Sequence, residues 1–171
     1  DKVKHEIHMR SREPVHVPQF RIPEEHQEVI NKYVDELLNS GCIVRSSSPF
    51  NSPIFCVKKH DGSLRVVQDF RAVNEASLDA KYSTKEVQEC VDTIGRMRSS
   101  IFTTLDLTSG FWQMALAEGS QEQTAFSVPG RARYHWVVAP MGLKASPSSF
   151  QRLMDFVMTD LEHVQSYIDD I

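Results

Sequence analysis

Three aspartates are the residues of this sequence best suited to act together in chemistry. Asp169 and Asp170 are adjacent in the segment 167–170 (YIDD), and Asp106 follows an apolar, β-rich segment at 101–105. If the segment 167–170 is a strand, Asp169 and Asp170 point to opposite faces and cannot both enter one core. Each carboxylate must then be solvated, paired or bound to a cation. An exposed acidic turn is the alternative for 167–170, and a turn-initiating aspartate is the alternative for Asp106.

The two acidic segments are separated by one predicted hairpin and one predicted helix, so they can be neighbours in one sheet. Three converging carboxylates would repel one another and attract hard cations such as Mg²⁺ or Mn²⁺. Two such ions, roughly 3.5–4 Å apart, can activate an attacking hydroxyl and stabilise a leaving phosphate.

The elements that must position these residues alternate between helices and strands. Prolines predict an extended strap at residues 1–22. A helix from Pro23 to Gly41 follows, then strands 54–59 and 64–69 joined by Asp61-Gly62, and a helix capped by Ser83 and Glu86. The second half has a strand at 101–107, strands near 123–128 and 134–139, a helix capped by Ser146 and running to Leu161, and a final strand carrying YIDD. This order predicts an α+β fold with an antiparallel sheet and helices on one side.

Length and composition narrow the class of protein. The 171 residues suit one domain or two tightly joined lobes, and no apolar run approaches the roughly 18 residues of a membrane-spanning helix. The sequence begins without an initiator Met or an apolar signal segment, so we expect an internal piece of a longer product. The three cysteines lack zinc-site spacing, which favours reduced thiols in an intracellular compartment.

Charge is distributed unevenly along the chain. The net charge is −4, yet residues 43–74 carry five Lys or Arg against two Asp, a net +3. A basic lobe beside an acidic one suits a protein that binds phosphates at one place and cations at another. Ordinary variation of surface charge is the alternative.

Further motifs follow one another along the chain: 52–53 (SP), 57–65 (VKKHDGSLR), 68–74 (QDFRAVN), 105–113 (LDLTSGFWQ), 124–126 (TAF), 140–147 (PMGLKASP) and 150–154 (FQRLM). Together with YIDD, these motifs resemble the fingers and palm of reverse transcriptases, most closely those of Ty3/gypsy-type long-terminal-repeat retrotransposons. The resemblance runs from about residue 5 to residue 171.

The resemblance implies a polymerase right-hand fingers and palm, with an antiparallel palm sheet packed on helices and a fingers β-hairpin. The implied divisions are 1–22 as an extended N-terminal strap, 23–80 as fingers, 81–130 as palm with the Asp106 motif and the start of the second hairpin, and 131–171 as palm with the Pro-Met-Gly-Leu loop, a helix and the YIDD strand. The thumb, connection and RNase H domains of the family are expected to be absent.

The implied activity is that of an RNA-directed DNA polymerase. A primer 3′-hydroxyl attacks the α-phosphate of a deoxynucleoside triphosphate and releases pyrophosphate. By resemblance, Asp106, Asp169 and Asp170 are catalytic, and with Leu107 they hold two Mg²⁺ ions, or Mn²⁺ in their place.

The resemblance also implies residues that bind the nucleotide. Lys58 or Lys59, with Arg65, neutralises the triphosphate, while a solvated strand position is the alternative for each lysine. The remaining candidates are the main-chain amides of Ser109 and Gly110 at the phosphates, Phe111 as a steric gate against a 2′-hydroxyl or else a core aromatic, and Met141 near the sugar and template base.

Primer and template contacts are implied for Tyr167, Ile168, Gln151 and Arg71. A packing role fits Gln151 equally well, and Arg71 can instead pair with Asp69. The implied partners are a primed RNA or DNA template and deoxynucleoside triphosphates, without a membrane and with the oligomeric state open. The implied location is cytoplasmic, within a virus-like particle if the parent element is intact.

Two features depart from the family pattern. Ala139 and Met141 replace residues more usual in that loop, and the sequence ends at Ile171, so the Asp169 strand is expected to lack its hairpin partner. A weak or inactive fragment that binds nucleic acid or protein is therefore a competing hypothesis. A different two-metal nucleotidyltransferase would fit the carboxylates but not the motifs of the fingers.

Overall fold

In a computed structural model, residues 3–79, 82 and 86–171 are described. The helices are α1 (Glu24–Asn39), α2 (Arg71–Ala76), α3 (Val87–Arg96), α4 (Glu118–Gln121) and α5 (Ser146–Val157), and the strands are β1 (Ile43–Arg45), β2 (Ile54–Lys58), β3 (Leu64–Gln68), β4 (Phe126–Ser127) and β5 (Arg133–Trp136). Single 3₁₀ turns occupy Gly110–Gln113 and Glu122–Thr124. The strands pair antiparallel in two small sheets, ordered β1-β5-β4 and β2-β3. The predicted α+β class is confirmed.

Helix α1 forms because its apolar residues recur on one face. Ile30, Val34 and Leu37 are each at most 1% exposed, and they face the main core. Pro23 precedes the first turn, and Gly41 (φ 71°) lets the chain leave the helix in a left-handed conformation. Both predicted ends of this helix are confirmed.

The hairpin of β2 and β3 is formed by the Asp61-Gly62 turn. Gly62 adopts φ 82°, the Lys59 amide donates to the Ser63 carbonyl at 2.8 Å, and Asp61 Oδ1 accepts from the Ser63 amide at 2.9 Å. The register pairs Ile54 with Gln68 and Lys58 with Leu64. Each strand is one residue shorter than predicted.

A buried polar junction ties the root of this hairpin to the three-stranded sheet. Gln68 accepts from the Trp136 indole nitrogen and donates to the Thr124 carbonyl, each at 2.9 Å. The Thr124 hydroxyl also accepts from the Trp136 amide at 2.9 Å. Because all three residues are largely removed from water, the junction fixes β3 against β5.

Residues 3–22 lie along several other elements without forming a helix. His5 makes a parallel bridge to Leu116, and His16 makes one to Asn51. The Asn51 side chain is 1% exposed and donates to the Val17 carbonyl at 2.6 Å. These contacts tie the N-terminal segment to residues near Leu116 and Asn51, which lie between the strands in the chain.

Several predicted elements differ from those observed. Helix α5 ends at Val157 rather than at Leu161. Its N-cap position is Ala145, so Ser146 lies in the first turn, where its buried hydroxyl has no hydrogen-bond partner among the described residues. The strand pair predicted near 123–128 and 134–139 is limited to β4 and β5. The predicted cap of α3 involves Ser83, which lies outside the described residues.

The predicted strand at 101–107 is also wrong. Ile101, Phe102 and Leu105 are 83%, 65% and 58% exposed, and only Asp106 takes part in a β-bridge. Residues 105–107 pair with residues 169–171, whereas the backbone of residues 101–104 has no partner among the described residues. A β-rich composition does not produce a strand where the backbone finds no partner.

Among the described helices, none combines the length and apolar character needed to cross a membrane.

His5 should make the stability of the chain depend on pH. It is 0% exposed and pairs through Nδ1 with Ser149 Oγ at 2.8 Å, and burial, followed by the nearby charge of Arg152, lowers the pKa of His5 to about 4. Since the neutral form is favoured in the folded chain, this stabilisation is complete above the ordinary histidine pKa and is lost as the pH falls. We expect the free energy of unfolding to fall by about 2 kcal/mol more in the wild type than in His5→Gln between about pH 7.5 and pH 5.

Urea unfolding at several pH values measures this difference. His8→Gln is the matched control, because the His8 side chain on the same segment is 67% exposed. Parallel pH curves for the wild type and His5→Gln would contradict the expectation.

Candidate active site

A short antiparallel ladder joins the two acidic segments. Leu105 and Ile171 exchange backbone hydrogen bonds of 2.8 and 3.0 Å, and the Leu107 amide donates to the Asp169 carbonyl at 3.3 Å. Asp106 and Asp170 lie opposite each other between these bonds, so they form the non-hydrogen-bonded pair of the ladder. Their side chains share one face, with Cβ atoms about 4.5–5.5 Å apart. The predicted proximity of the two segments is confirmed.

The segment 167–170 is a tight turn, and the strand predicted there is wrong. Tyr167 and Asp170 exchange backbone hydrogen bonds of 2.9 and 3.1 Å, and Ile168 adopts the left-handed conformation with φ 56°. A β-branched residue is unfavourable in that conformation, so the surroundings must hold it there. The acidic-turn alternative describes the local geometry, and Asp106 lies opposite that turn.

Gln151 holds the turn from beneath. It is 0% exposed, and its Oε1 accepts from the Ile168 amide at 2.8 Å. Its Nε2 donates to Ser166 Oγ at 3.2 Å and to the Ser166 carbonyl at 3.3 Å. This buried position fits the packing role predicted for Gln151, and contact with a primer or template stays a prediction. Its place beside Phe150 on the apolar stripe of α5 was the available sequence signal.

Gly110 allows its turn to pack closely against the acidic segment and α5. A Cβ at this position would lie 3.1 Å from Phe150 Cζ and 3.5 Å from Asp169 Cβ. The Gly110 amide donates to the Leu107 carbonyl at 3.1 Å, and its contact with a phosphate stays a prediction. Ser109 precedes it in the left-handed conformation with φ 52°. The tight approach at Gly110 therefore sets the distance between this turn and Asp169.

An apolar cluster supports both acidic segments. It has Met114, Ala139, Phe150 and Met154 as buried members, with Leu107, Phe111 and Ile168 among the partly buried residues around them. The Phe111 ring lies 5.2 Å from the Phe150 ring, centroid to centroid. Phe111 is thus half-buried, with one part in the cluster and another part open, which fits both alternatives predicted for it.

The carboxylates themselves are open to solvent. Asp106 and Asp170 are exposed, and Asp169 is half-buried. In the part of the chain that the structure describes, none of the three makes an ion pair or a side-chain hydrogen bond, and no three His, Cys, Asp or Glu side chains are already grouped as metal ligands. Their donor atoms are all oxygens, the ligands that Mg²⁺ and Mn²⁺ take in proteins.

A cleft of about 740 Å³ opens between α1, the β2–β3 hairpin and the loop at Pro140–Gly142. Lys59, Arg65, Ser109 and Met141 line it, whereas Lys58 does not. Arg65 Nη2 lies 3.0 Å from Met141 Sδ, so the hairpin contacts the opposite wall of the cleft. Of the two lysines that the sequence left as alternatives, Lys59 faces this cleft, and contact of either with a triphosphate stays a prediction.

Arg71 lies outside this cleft and pairs with Asp69. The Arg71 Nη2 to Asp69 Oδ2 distance is 2.6 Å, and Nε is 2.9 Å from Oδ1. Hydrogen bonding from Arg71 lowers the pKa of Asp69 below its usual value. The predicted pairing is confirmed, while the Arg71 side chain stays 90% exposed.

A family model and the similar proteins all point to the same protein family. A model of the family "Reverse transcriptase (RNA-dependent DNA polymerase)" matches residues 57–171. The retrovirus-related Pol polyprotein from transposon 297 of Drosophila melanogaster is 35% identical over 99% of the chain and 16% of its own length. The corresponding polyprotein from transposon gypsy of Drosophila melanogaster is 36% identical over 84% of the chain and 14% of its own length.

The fold is shared with solved structures as well. The foamy viral protease-reverse transcriptase in complex with RNA/DNA hybrid superposes with a TM-score of 0.77 at 25% identity, over 96% of this chain and 23% of that one. The chain thus spans less than a quarter of the length of each of these proteins. With a family model matching well over half of its residues, the chain belongs to the reverse transcriptase family, alongside the Pol polyproteins of long-terminal-repeat retrotransposons.

Proposed function

We propose that this chain is the fingers and palm core of an RNA-directed DNA polymerase that adds deoxynucleotides to a primer 3′-hydroxyl. The observation that carries the proposal is the Asp106–Asp170 bridge, which holds two carboxylates on one face of the ladder, with Asp169 next along the chain. Two like charges directly opposite each other destabilise a ladder, and cations bound between them would remove that cost.

The metal site proposed here consists of Asp106, Asp169 and Asp170 with the main-chain carbonyl of Leu107. Two Mg²⁺ or Mn²⁺ ions bound there would supply an activated primer hydroxyl and stabilise the leaving pyrophosphate. The exposed positions of Asp106 and Asp170 let both side chains turn towards a bound ion without disturbing a core. The chain contributes the placement of the charges and needs no side-chain nucleophile.

The nucleotide site proposed here is the cleft between the hairpin and the palm. Lys59 and Arg65 line it and would neutralise the triphosphate. Arg65 donates to the neutral Met141 sulfur, a weak acceptor that a phosphate oxygen would readily displace. Phe111 would lie beneath the sugar as a steric gate, where its half-buried ring is held by Phe150.

A primed RNA or DNA template is the proposed partner. Tyr167 and Ile168 belong to the catalytic turn and would meet the primer terminus, and Arg71 keeps an exposed guanidinium for a phosphate. The foamy viral relative was solved with an RNA/DNA hybrid. From the retrotransposon relatives, we also propose a cytoplasmic location within particles of the parent element.

Removal of a single catalytic carboxylate should abolish primer extension. We expect Asp106→Asn and Asp169→Asn each to lower the rate at least about 100-fold, since each variant loses a negative charge that the bound cations need. Extension of a primed RNA template with deoxynucleotides and Mg²⁺ or Mn²⁺ measures the effect.

Asp160→Asn is the matched control, because Asp160 is an exposed aspartate beyond the end of α5. Equal extension by the wild type and Asp169→Asn would exclude the proposed site. Absence of extension by every variant, with template binding retained, would favour the binding-module hypothesis, and a longer chain continuing past residue 171 serves as the positive control.

The two lysines of the hairpin should differ in their effect on nucleotide affinity. We expect Lys59→Ala to raise the KM for deoxynucleotides about tenfold, the loss of one charge-assisted hydrogen bond, and Lys58→Ala to raise it less than about twofold. Steady-state extension at varied nucleotide concentration tests this pair, and the reverse order would assign the triphosphate contact to Lys58.

A further inference from the structure

Gln151 is itself held by a second side chain on α5. Asp155 lies one helical turn further along, and its Oδ1 accepts from Gln151 Nε2 at 2.9 Å. The other carboxylate oxygen, Oδ2, accepts from the Tyr82 hydroxyl at 2.5 Å. A continuous chain of hydrogen bonds therefore runs from Tyr82 through Asp155 and Gln151 to the Ile168 amide.

The direction of this chain is set by chemistry. A glutamine side chain can present either its oxygen or its nitrogen to a neighbour, and only the oxygen can accept from the Ile168 amide. An ionised carboxylate accepts hydrogen bonds and cannot donate, so Asp155 binds only the nitrogen end of Gln151. The Ser166 carbonyl favours the same orientation but lies farther away, at 3.3 Å. The carboxylate is thus the strongest determinant of which end of Gln151 faces the turn.

Because Gln151 is buried, the orientation of its side-chain amide affects the stability of the turn. Gln151 is 0% exposed, so a reversed amide would place its nitrogen against the Ile168 amide with no water to compensate either donor. The Ile168 backbone, already in an unfavourable conformation at φ 56°, would then lose the hydrogen bond that holds it. Asp169 follows Ile168 directly, so any relaxation of this turn moves the Asp169 side chain.

We propose that Asp155 is a positioning residue for the turn at 167–170, with Tyr82 fixing its carboxylate from outside the helix. Tyr82 lies in the segment between α2 and α3, so the pair ties that segment to the acidic turn. The hydrogen bond to Asp155 also raises the pKa of the Tyr82 hydroxyl. The consequence for catalysis rests on the proposed polymerase function, whereas the positioning itself does not.

The test measures hydrogen exchange at the Ile168 amide by NMR, in the chain without metal or nucleotide. We expect Asp155→Asn to speed that exchange at least about tenfold relative to the Met154 amide within α5, because asparagine can donate and no longer selects one orientation of Gln151. Tyr82→Phe should speed it about two- to fivefold, since the carboxylate remains but loses the hydrogen bond from the Tyr82 hydroxyl.

The chain offers a matched control on α3. Gln88 Nε2 donates to Asp92 Oδ1 at 2.8 Å with the same spacing, but this pair is exposed and far along the chain from the turn. Asp92→Asn should leave the Ile168 exchange rate unchanged. Unchanged Ile168 exchange in a folded Asp155→Asn variant would overturn the proposal.

If Asp155→Asn fails to fold, Tyr82→Phe tests the positioning role of Asp155. This variant should fold, because Tyr82 is 38% exposed and the substitution removes only one oxygen atom. Ile168 exchange equal to the wild type in that variant would overturn the proposal. Primer extension then separates the two hypotheses: a lower kcat with little change in nucleotide KM supports positioning of the catalytic turn. Faster Ile168 exchange in variants of a chain that extends no primer would support the positioning role while rejecting the polymerase function.

Discussion

The structure of the acidic site depends on one short ladder between residues 105–107 and 169–171. This ladder places Asp106 directly opposite Asp170, and the tight turn before it forces Ile168 into a left-handed conformation. Like charges opposite each other cost roughly 0.2–1 kcal/mol, and an unfavourable backbone conformation costs of order 1–3 kcal/mol. Neither arrangement would persist without support from residues that are fully buried.

That support comes from two neighbours on α5. Phe150 and Gln151 are 1% and 0% exposed, and each contacts a different part of the acidic site. Phe150 lies against the position where Gly110 lacks a side chain, and Gln151 accepts from the Ile168 amide. A single helix therefore sets both the packing and the hydrogen bonding of the site, which explains why an exposed acidic turn can keep one defined shape.

Sequence patterns predicted the elements whose formation depends on neighbouring residues in the chain, such as turns and amphipathic helices. Asp61-Gly62 specified the hairpin, and the apolar stripe between Pro23 and Gly41 specified α1. At 167–170 the sequence left a strand and an acidic turn as alternatives, because Tyr and Ile favour strands. The turn is observed, and the buried oxygen of Gln151 accepts from its Ile168 amide. Alternation along a strand likewise could not choose between Lys58 and Lys59, since the choice depends on which face of the hairpin the cleft occupies.

The buried junction of Gln68, Thr124 and Trp136 has a mechanical consequence for the hairpin above it. The junction fixes the root of β3, whereas residues 60–63 at the far end are exposed. Five-residue strands extend about 16 Å from such a root. If the hairpin tilts about this root, its displacement grows along its length, so that a tilt of about 10° at Gln68 would move Asp61 by about 3 Å. In such a tilt Lys59, beside the turn, would move almost as far, and Arg65, three residues from Gln68, a little over half as far.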